Sequence, residues 1–142
     1  MKGLEERYRE YAREAGERIT PQKLAVLRFL EGNENHPSVQ EILAFVSKKL
    51  GQIAQVTVYR LLRDFVRSGF VRSICIDPER MRFDPFTNPH HHVVCTVCGR
   101  IWDIPFESIR CQARMMPDWF ERTGQVEVVI RAVCKECMAK KD

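Results

Sequence analysis

Residues 89–99 read Pro-His-His-His-Val-Val-Cys-Thr-Val-Cys-Gly and contain three of the four histidines and two of the six cysteines of the chain. Side chains of a β-strand alternate between two faces, so a strand here turns His90 and His92 to one face and the histidine between them to the other. His90 and His92 are therefore predicted to share one metal ion. Cys95 and Cys98, in the turn that follows, are predicted to share a different one.

A second CxxC motif lies near the C-terminus, and 35 residues separate it from the first. Four thiolates around a tetrahedral zinc form a closed structural site with no open position for catalysis. The alternatives are a redox-active pair or buried thiols, but two matched pairs favour zinc. Such an ion would stabilise a short C-terminal domain that has little core of its own. The predicted zinc ligands are Cys95, Cys98, Cys134 and Cys137.

A second set of potential ligands contains no sulfur. Asp103 lies in the next predicted strand, where it can fold back beside His90 and His92. Asp84 ends an earlier predicted strand, and His36 stands at the entrance to a predicted helix. Imidazole and carboxylate ligands suit Fe(II), Mn(II) or Zn(II). The alternative is that these are ordinary surface residues, as most isolated His and Asp are.

The first half of the chain predicts four helices followed by two strands, which is the element order of a winged helix-turn-helix domain. Thr20-Pro21 and the Ser38/Glu41 capping box mark two of the helix starts. The fourth helix, over residues 53–68, has an apolar face and an opposite face that carries arginines. A basic helix followed by a wing indicates DNA binding, although a solvated basic surface helix has the same pattern.

Two prolines in residues 85–89 indicate a linker between the halves of the chain. Beyond it, the pattern predicts strands over residues 100–104 and 125–133, and a helix over about 106–122 with an interruption at Pro117. The predicted fold class is therefore α+β, with an N-terminal winged helix-turn-helix domain and a small C-terminal α/β domain. The predicted domains are residues 1–84 (DNA binding), 85–89 (linker) and 90–142 (dimerisation and zinc binding).

Composition excludes some classes of protein. No apolar run approaches the roughly 18 residues of a membrane span, and no signal peptide opens the chain, so we expect a cytoplasmic protein without a membrane partner. The net charge of +4 is too small to indicate nucleic acid by itself. However, residues 54–74 contain four arginines and one acid, so much of the excess positive charge is local.

Two other function classes compete with a DNA-binding metal sensor. An enzyme could use His90, His92 and Asp103 as a metal site with open positions. An arginine-bearing helix and a wing have no obvious use in such an enzyme, which disfavours it. A zinc-stabilised module that binds protein is the other alternative, and salt-dependent affinity for duplex DNA would argue against it.

Taken together, six short motifs resemble the ferric uptake regulator family of metal-dependent repressors, and the resemblance covers nearly the whole chain. It implies a homodimer and not an enzyme, with an N-terminal winged helix for palindromic operator DNA and a C-terminal dimerisation domain. It also implies a four-cysteine zinc and a regulatory metal between the domains. The motifs are RITPQK (18–23), HPS (36–38), VTVYRLL (56–62), RFD (82–84), HHH with CTVCG (90–99) and CKEC (134–137).

Within that family, aspartate at positions 84 and 103 resembles the peroxide-sensing branch, because iron-uptake regulators tend to have glutamate where Asp103 stands. This resemblance implies that peroxide oxidises His36 or His90 and that the repressor then releases DNA. The alternative within the family is an iron or zinc uptake regulator that senses metal availability without peroxide chemistry. The implied Fe(II) or Mn(II) ligands are His36, Asp84, His90, His92 and Asp103. The expected DNA-contacting residues are Arg18, Thr57, Tyr59, Arg60 and Arg63.

Overall fold

The computed structural model describes residues 1–77, 80–112, 115–121 and 124–140. The chain forms two compact units, Met1–Thr87 (unit 1) and Asn88–Asp142 (unit 2). No helix in the described part of the chain is long and apolar enough to cross a bilayer.

Unit 1 begins with four helices whose starts follow local sequence signals. The Thr20 hydroxyl accepts a hydrogen bond from the Lys23 backbone N–H (3.3 Å), and the Ser38 hydroxyl accepts one from Glu41 (3.2 Å). These bonds satisfy N–H groups that have no partner within their own helix. The helices are α1 (Leu4–Ala15), α2 (Pro21–Leu30), α3 (Val39–Leu50) and α4 (Gln55–Arg67).

The core of unit 1 lies among these helices. Val58, Leu62 and Phe65, from the apolar stripe of α4, are at most 2% exposed. The Tyr8 ring of α1 meets Phe65 edge-on, with the ring centroids 5.2 Å apart. Burial of this stripe holds α4 by one face, so its opposite face is displayed to solvent.

A two-stranded antiparallel hairpin, the wing, follows α4. It also holds the segment that precedes α3, because the Phe83 N–H donates to the Pro37 carbonyl (2.9 Å) and Ser38 forms a bridge with Arg82. Pro78 and Glu79, in the predicted turn of the wing, lie outside the described residues. The strands are β1 (Arg72–Asp77) and β2 (Arg80–Asp84).

Unit 2 contains a three-stranded sheet with the order β4-β3-β5. The central strand β3 pairs antiparallel with β4 through the tight CxxC turn and parallel with β5. A parallel partner needs a long crossover connection, and residues 106–128 provide it. The elements are β3 (His90–Cys95), β4 (Ile101–Pro105), a 3-10 turn (Phe106–Ser108), β5 (Val129–Ala132) and α5 (Lys135–Ala139).

The helix predicted over about 106–122 is wrong. The structure has only the 3-10 turn at Phe106–Ser108 and no helix in the described residues 109–112 and 115–121. Pro117 removes a backbone donor, and the apolar side chains of Met115 and Trp119 are 89% and 80% exposed. A short helix is stable mainly because its apolar face is buried against the rest of the protein. Met115 and Trp119 are not buried, so a helix here would lack that stabilisation. The α+β fold class, with an N-terminal winged helix and a small α/β second unit, is confirmed.

Candidate metal sites and DNA-binding face

The four cysteines of the two CxxC motifs meet in unit 2. Their Sγ atoms all lie within 4.8 Å of one another. The parallel register puts Cys95 beside Ala132, so the chain leaving β5 delivers the second pair to the first. Four sulfur atoms at this spacing suit a tetrahedral Zn(II). The group therefore fits a closed structural zinc.

Two thiols of this group have pKa values shifted in opposite directions. Backbone N–H groups of Cys134 and Cys98 donate to the Cys95 sulfur (3.4 and 3.5 Å) and lower the pKa of that thiol. The adjacent Cys134 side chain and burial raise the pKa of the Cys137 thiol. Without a cation, the site favours one thiolate and disfavours further negative charge. A divalent ion supplies the positive charge that four thiolates need.

Two histidines and one aspartate converge elsewhere on the same sheet. The antiparallel register places His92 opposite Asp103. The His90 and His92 ring centroids are 4.5 Å apart, and their Nε2 atoms lie 3.5 and 3.4 Å from the same Asp103 oxygen. The His92 side chain is 1% exposed and the Asp103 side chain 37%. The imidazoles are thus fixed in the sheet beside a carboxylate that solvent can reach.

Each of these imidazoles is oriented by its other nitrogen. His90 Nδ1 lies 2.7 Å from the Asn88 carbonyl oxygen, and His92 Nδ1 lies 2.8 Å from the Glu127 carboxylate. Both partners are acceptors, so Nδ1 of each ring donates the hydrogen bond. Each histidine thus directs its other nitrogen, Nε2, to the Asp103 side, where a metal would contact it.

Sequence reasoning missed Asn88 and Glu127 as partners of the histidines. The contact through Asn88 uses a backbone carbonyl, which no side-chain pattern reveals. Glu127 reaches His92 only because β5 pairs parallel with β3. A long crossover separates these strands, and no local signal in the sequence sets their register.

His91 lies on the opposite face of β3, as the alternation of the strand requires. Its ring stacks on Phe106 with the centroids 5.1 Å apart. Its Nδ1 accepts a hydrogen bond from the Val128 backbone N–H (3.1 Å), and its buried Nε2 has no hydrogen-bond partner within the described ranges. His91 therefore holds the backbone next to β5 and is not one of the groups that face Asp103.

The two remaining predicted ligands meet in unit 1. His36 Nε2 lies 3.5 Å from Asp84 Oδ2, and both side chains are at most 2% exposed. The hydrogen bond between Phe83 and Pro37 holds their two segments together. The other Asp84 oxygen accepts from the Phe86 backbone N–H (2.9 Å). Neither residue is the ordinary surface side chain that the alternative reading of the sequence allowed.

The backbone of His36 is strained. Its φ of 51° is the only positive value at a non-glycine residue in the part of the chain that the structure describes. Such a conformation costs on the order of 1–3 kcal/mol and tends to persist at functional sites, where the surroundings impose it. Strain at a buried imidazole that faces a carboxylate supports a functional role for His36.

The five predicted nitrogen and oxygen ligands thus form a pair in unit 1 and a triplet in unit 2. Imidazole nitrogens and carboxylate oxygens without sulfur suit Fe(II), Mn(II) or Zn(II). The arrangement differs from the four-thiolate group, which leaves no open coordination position. The chain therefore carries potential ligands of two chemical types, one typical of a structural ion and one typical of an exchangeable ion. The pair is His36 and Asp84; the triplet is His90, His92 and Asp103.

The predicted DNA-contacting residues all lie in unit 1. On α4, Arg60 and Arg63 are exposed, Tyr59 is 46% exposed, and Thr57 is half-buried. Arg18 is exposed in the loop between α1 and α2, and its carbonyl accepts a hydrogen bond from the Lys23 ammonium (2.9 Å). The polar face of α4 is thus open to a ligand while its apolar face anchors the helix.

Unit 1 is a winged helix that exposes a basic helix. Unit 2 has a four-thiolate group and, apart from it, imidazole and carboxylate groups. This combination is typical of a metal-dependent transcriptional regulator. The comparisons with known proteins specify its family. The model of the Ferric uptake regulator family matches residues 14–127. The chain belongs to the ferric uptake regulator family.

The chain is similar to the peroxide-responsive repressor PerR of Staphylococcus aureus, with 36% identity over 131 residues, or 90% of this chain and 87% of that protein. Its fold is similar to that of the Helicobacter pylori ferric uptake regulator Fur, with a TM-score of 0.74, 20% identity and 97% of both chains covered. PerR from Streptococcus pyogenes gives a TM-score of 0.54 at 24% identity, with 96% of this chain and 95% of that chain covered.

Membership of this family confirms several predictions. The chain is a metal-sensing regulator close to PerR and not an enzyme, which removes the competing enzyme interpretation. The cofactor prediction, a structural zinc and a regulatory Fe(II) or Mn(II), is confirmed for the family, and the chain has a four-cysteine group and His/Asp groups that suit these ions. The assignment of individual side chains to each ion and to DNA remains a prediction.

Proposed function

We propose that this chain is a metal-dependent repressor that binds palindromic operator DNA as a homodimer and releases it when peroxide oxidises a histidine ligand. The main support is the convergence of the His90 and His92 Nε2 atoms on Asp103 within one sheet. Similarity to the S. aureus repressor PerR supports the peroxide response. In this proposal residues 1–84 bind DNA, residues 85–89 link the domains, and residues 90–142 dimerise and bind zinc.

One regulatory ion, in this proposal, takes ligands from both units, while the structural zinc takes the four cysteines. The pair and the triplet each have too few groups for a complete site, and together they supply five nitrogen and oxygen donors. Both contain carboxylates, whose charge favours a divalent cation. The proposed regulatory ligands are His36, Asp84, His90, His92 and Asp103; the proposed zinc ligands are Cys95, Cys98, Cys134 and Cys137.

An ion shared by the two units would couple metal binding to DNA binding. It would stabilise the arrangement of units in which its ligands can meet, which is how a ligand shifts a conformational equilibrium. In a two-fold dimer that arrangement sets the distance between the two recognition helices. Only one distance fits successive major grooves of a palindromic site, so the ion would favour the DNA-binding form.

In the proposed complex, the exposed face of α4 enters the major groove. Thr57, Tyr59 and Arg60 are near its N-terminal end, where they can reach phosphates and base edges. Arg63, one turn further along, can contact the phosphate backbone. Arg18 adds a second cationic contact from the loop between α1 and α2.

The peroxide step would act on the chain itself. A bound Fe(II) supplies the redox chemistry that activates peroxide. At His36 or His90, the ring carbon between the two nitrogens gains an oxygen and becomes a carbonyl, and its hydrogen moves to a ring nitrogen. One peroxide oxygen enters the ring, the other leaves as water, and the ring loses two electrons. The product is urea-like, with its nitrogen lone pairs delocalised into the new carbonyl, so the ring no longer ligates well. The side chain of His90 is 11% exposed, against 2% for His36 and 1% for His92, so peroxide from solution reaches His90 most easily.

The proposal that one ion is shared by the two units is tested by metal-dependent DNA binding. A palindromic duplex selected from a random library would be titrated with the zinc-containing protein, with and without Mn(II) or Fe(II), by fluorescence anisotropy. Wild type should gain affinity with metal, whereas His36→Ala should gain little. If His36→Ala gains as much affinity as wild type, the two units do not share the ion.

The peroxide step needs a separate measurement. Fe(II)-loaded protein would be treated with peroxide and its peptides mapped by mass spectrometry, with metal-free protein treated in parallel. The mass of one oxygen should appear on the peptide of His36 or His90 in the iron-loaded sample alone, together with loss of DNA binding. If the peptides are unmodified and DNA binding is unchanged, the peroxide step is wrong and the protein senses only metal availability.

A further inference from the structure

The most informative contact outside the expected ligand set joins Glu127 to His92. The carboxylate lies 2.8 Å from His92 Nδ1, its side chain is 27% exposed, and the imidazole is 1% exposed. We propose that Glu127 is a positioning residue for the regulatory metal, which holds His92 with Nδ1 protonated and Nε2 directed to the Asp103 side. The inference rests on the proposed regulatory site, in which His92 is a ligand.

The backbone next to Glu127 is held by two hydrogen bonds to β3, one to its backbone and one to a side chain. The His92 N–H donates to the Val128 carbonyl (3.1 Å), and the Val128 N–H donates to His91 Nδ1 (3.1 Å). The residue after Glu127 is therefore pinned by two hydrogen bonds to adjacent histidines. This gives His91 a function: it holds the segment from which the Glu127 carboxylate reaches His92.

Glu127 acts through the imidazole and not as a direct ligand of the same ion. The lone pairs of Nδ1 and Nε2 diverge from the ring, and Glu127 occupies the Nδ1 side while Asp103 lies 3.4 Å from Nε2. Carboxylates that accept the second N–H of a ligating histidine fix its tautomer and raise its basicity. Loss of such a partner typically weakens metal affinity about 10- to 100-fold.

The same contact makes the two histidines of the triplet unequal. His92 is buried and bonded to a carboxylate, whereas His90 is more exposed and bonded to the neutral Asn88 carbonyl. A carboxylate acceptor makes the imidazole a stronger donor to a metal than a neutral acceptor does. We therefore expect His92 to be the stronger ligand of the two, and Glu127 to be the reason.

Metal affinity tests this role in the full-length, zinc-containing protein. Mn(II) binding would be measured from the electron paramagnetic resonance signal of free Mn(II) in titrations of wild type, Glu127→Leu and Glu127→Gln. Glu127→Leu should bind about 10- to 100-fold more weakly. Glu127→Gln should recover most of the loss, because its amide oxygen still accepts from Nδ1–H. Glu121→Leu, which removes an exposed acid elsewhere in unit 2, should bind like wild type.

A second readout needs no metal. Nitrogen-15 chemical shifts of the histidine rings in metal-free protein report which nitrogen carries the proton. Wild type and Glu127→Gln should show His92 protonated at Nδ1, and Glu127→Leu should show a mixture of tautomers. An effect confined to general stability would not alter the tautomer, so this measurement separates positioning from folding.

The outcomes distinguish this inference from the proposal on which it rests. If Asp103→Ala binds Mn(II) as tightly as wild type, the regulatory site itself is wrong. If Asp103→Ala loses binding while Glu127→Leu keeps it, the site is right and only the role of Glu127 is overturned. If Glu127→Gln binds as weakly as Glu127→Leu, the carboxylate acts through its charge or as a ligand, which overturns hydrogen-bond positioning.

Discussion

Replacing Cys95 with serine is expected to remove the structural zinc and unfold unit 2 while unit 1 stays folded. Cys95 is 2% exposed and its sulfur accepts hydrogen bonds from two backbone N–H groups. Serine is a much poorer zinc ligand, because its hydroxyl stays protonated where a thiol ionises. The substitution therefore leaves three thiolates around an incomplete site.

The expected effect is large because unit 2 has little other core. Among its described residues, the buried apolar side chains are Val94, Cys95, Ile101 and Cys137, and two of these four are proposed zinc ligands. Burial of a Val or Ile side chain contributes about 1.5–3 kcal/mol. Binding of a structural zinc contributes on the order of 10–16 kcal/mol, which matches or exceeds the roughly 5–15 kcal/mol stability of a whole domain. Loss of the ion should therefore abolish the folded state of unit 2.

Zinc content and hydrogen exchange measure this prediction together. Elemental analysis should find one zinc per chain in wild type and none in Cys95→Ser. Amides of β3 and β5 should lose protection, while those of α2 and α4 keep it, since unit 1 has its own core. Cys75→Ser and Cys111→Ser are matched controls, because both cysteines are exposed and outside the cluster. Full zinc content in Cys95→Ser, or protected β3 amides without zinc, would refute the reasoning.

Two further predictions concern unit 1. Phe65→Ala should lower the free energy of unfolding by about 3–5 kcal/mol, because Phe65 is 2% exposed and packs against Tyr8. Urea denaturation followed by tyrosine fluorescence measures this free energy. A loss below about 1 kcal/mol would contradict the assigned core. Arg63→Ala should weaken duplex binding about equally for all DNA sequences. It should also reduce the slope of the log binding constant against log salt concentration by about one. An unchanged slope in titrations at several salt concentrations would exclude a phosphate contact by Arg63.

The helices of unit 1 could be predicted because their signals are local. Thr20 and Ser38 cap α2 and α3 as expected, and Gly16 ends α1 in the left-handed conformation, φ 69°. These signals depend on residues within one turn of each other, so tertiary structure changes them little. At α4 the predicted start was two residues early, since Ala54 is the cap and its side chain makes no capping bond.

The features of unit 2 that could not be predicted depend on distant residues. The sequence analysis predicted a helix over about 106–122, but beyond the 3-10 turn the described part of that segment has no helix, and Met115 and Trp119 are exposed. The partners of the histidines were missed for a related reason. The position of Glu127 is set by the parallel pairing of β5 with β3, across a crossover of more than twenty residues (106–128). A parallel pair joined by a long crossover has no hairpin turn to set its register, so the local sequence does not reveal that Glu127 reaches His92.

The parallel pairing of β3 with β5 connects the two metal groups of unit 2. At one end of this ladder Cys95 pairs with Ala132, next to the second cysteine pair; at the other end His92 pairs with Val129, next to Glu127. His92 and Cys95 are three residue steps apart along β3, or about 10 Å. A zinc that ties the cysteine end together would therefore also fix the register that brings Glu127 to His92.

It follows that the structural zinc should be a precondition for the regulatory site, although it shares no ligand with it. Cys95→Ser should lose Mn(II) affinity by at least as much as Glu127→Leu, because it removes the strand pairing that delivers Glu127 as well as the packing around His92. Both variants would be titrated with Mn(II) under the same conditions. If Cys95→Ser lacks zinc and still binds Mn(II) like wild type, the β3–β5 ladder does not depend on the zinc, and the two metal groups fold independently.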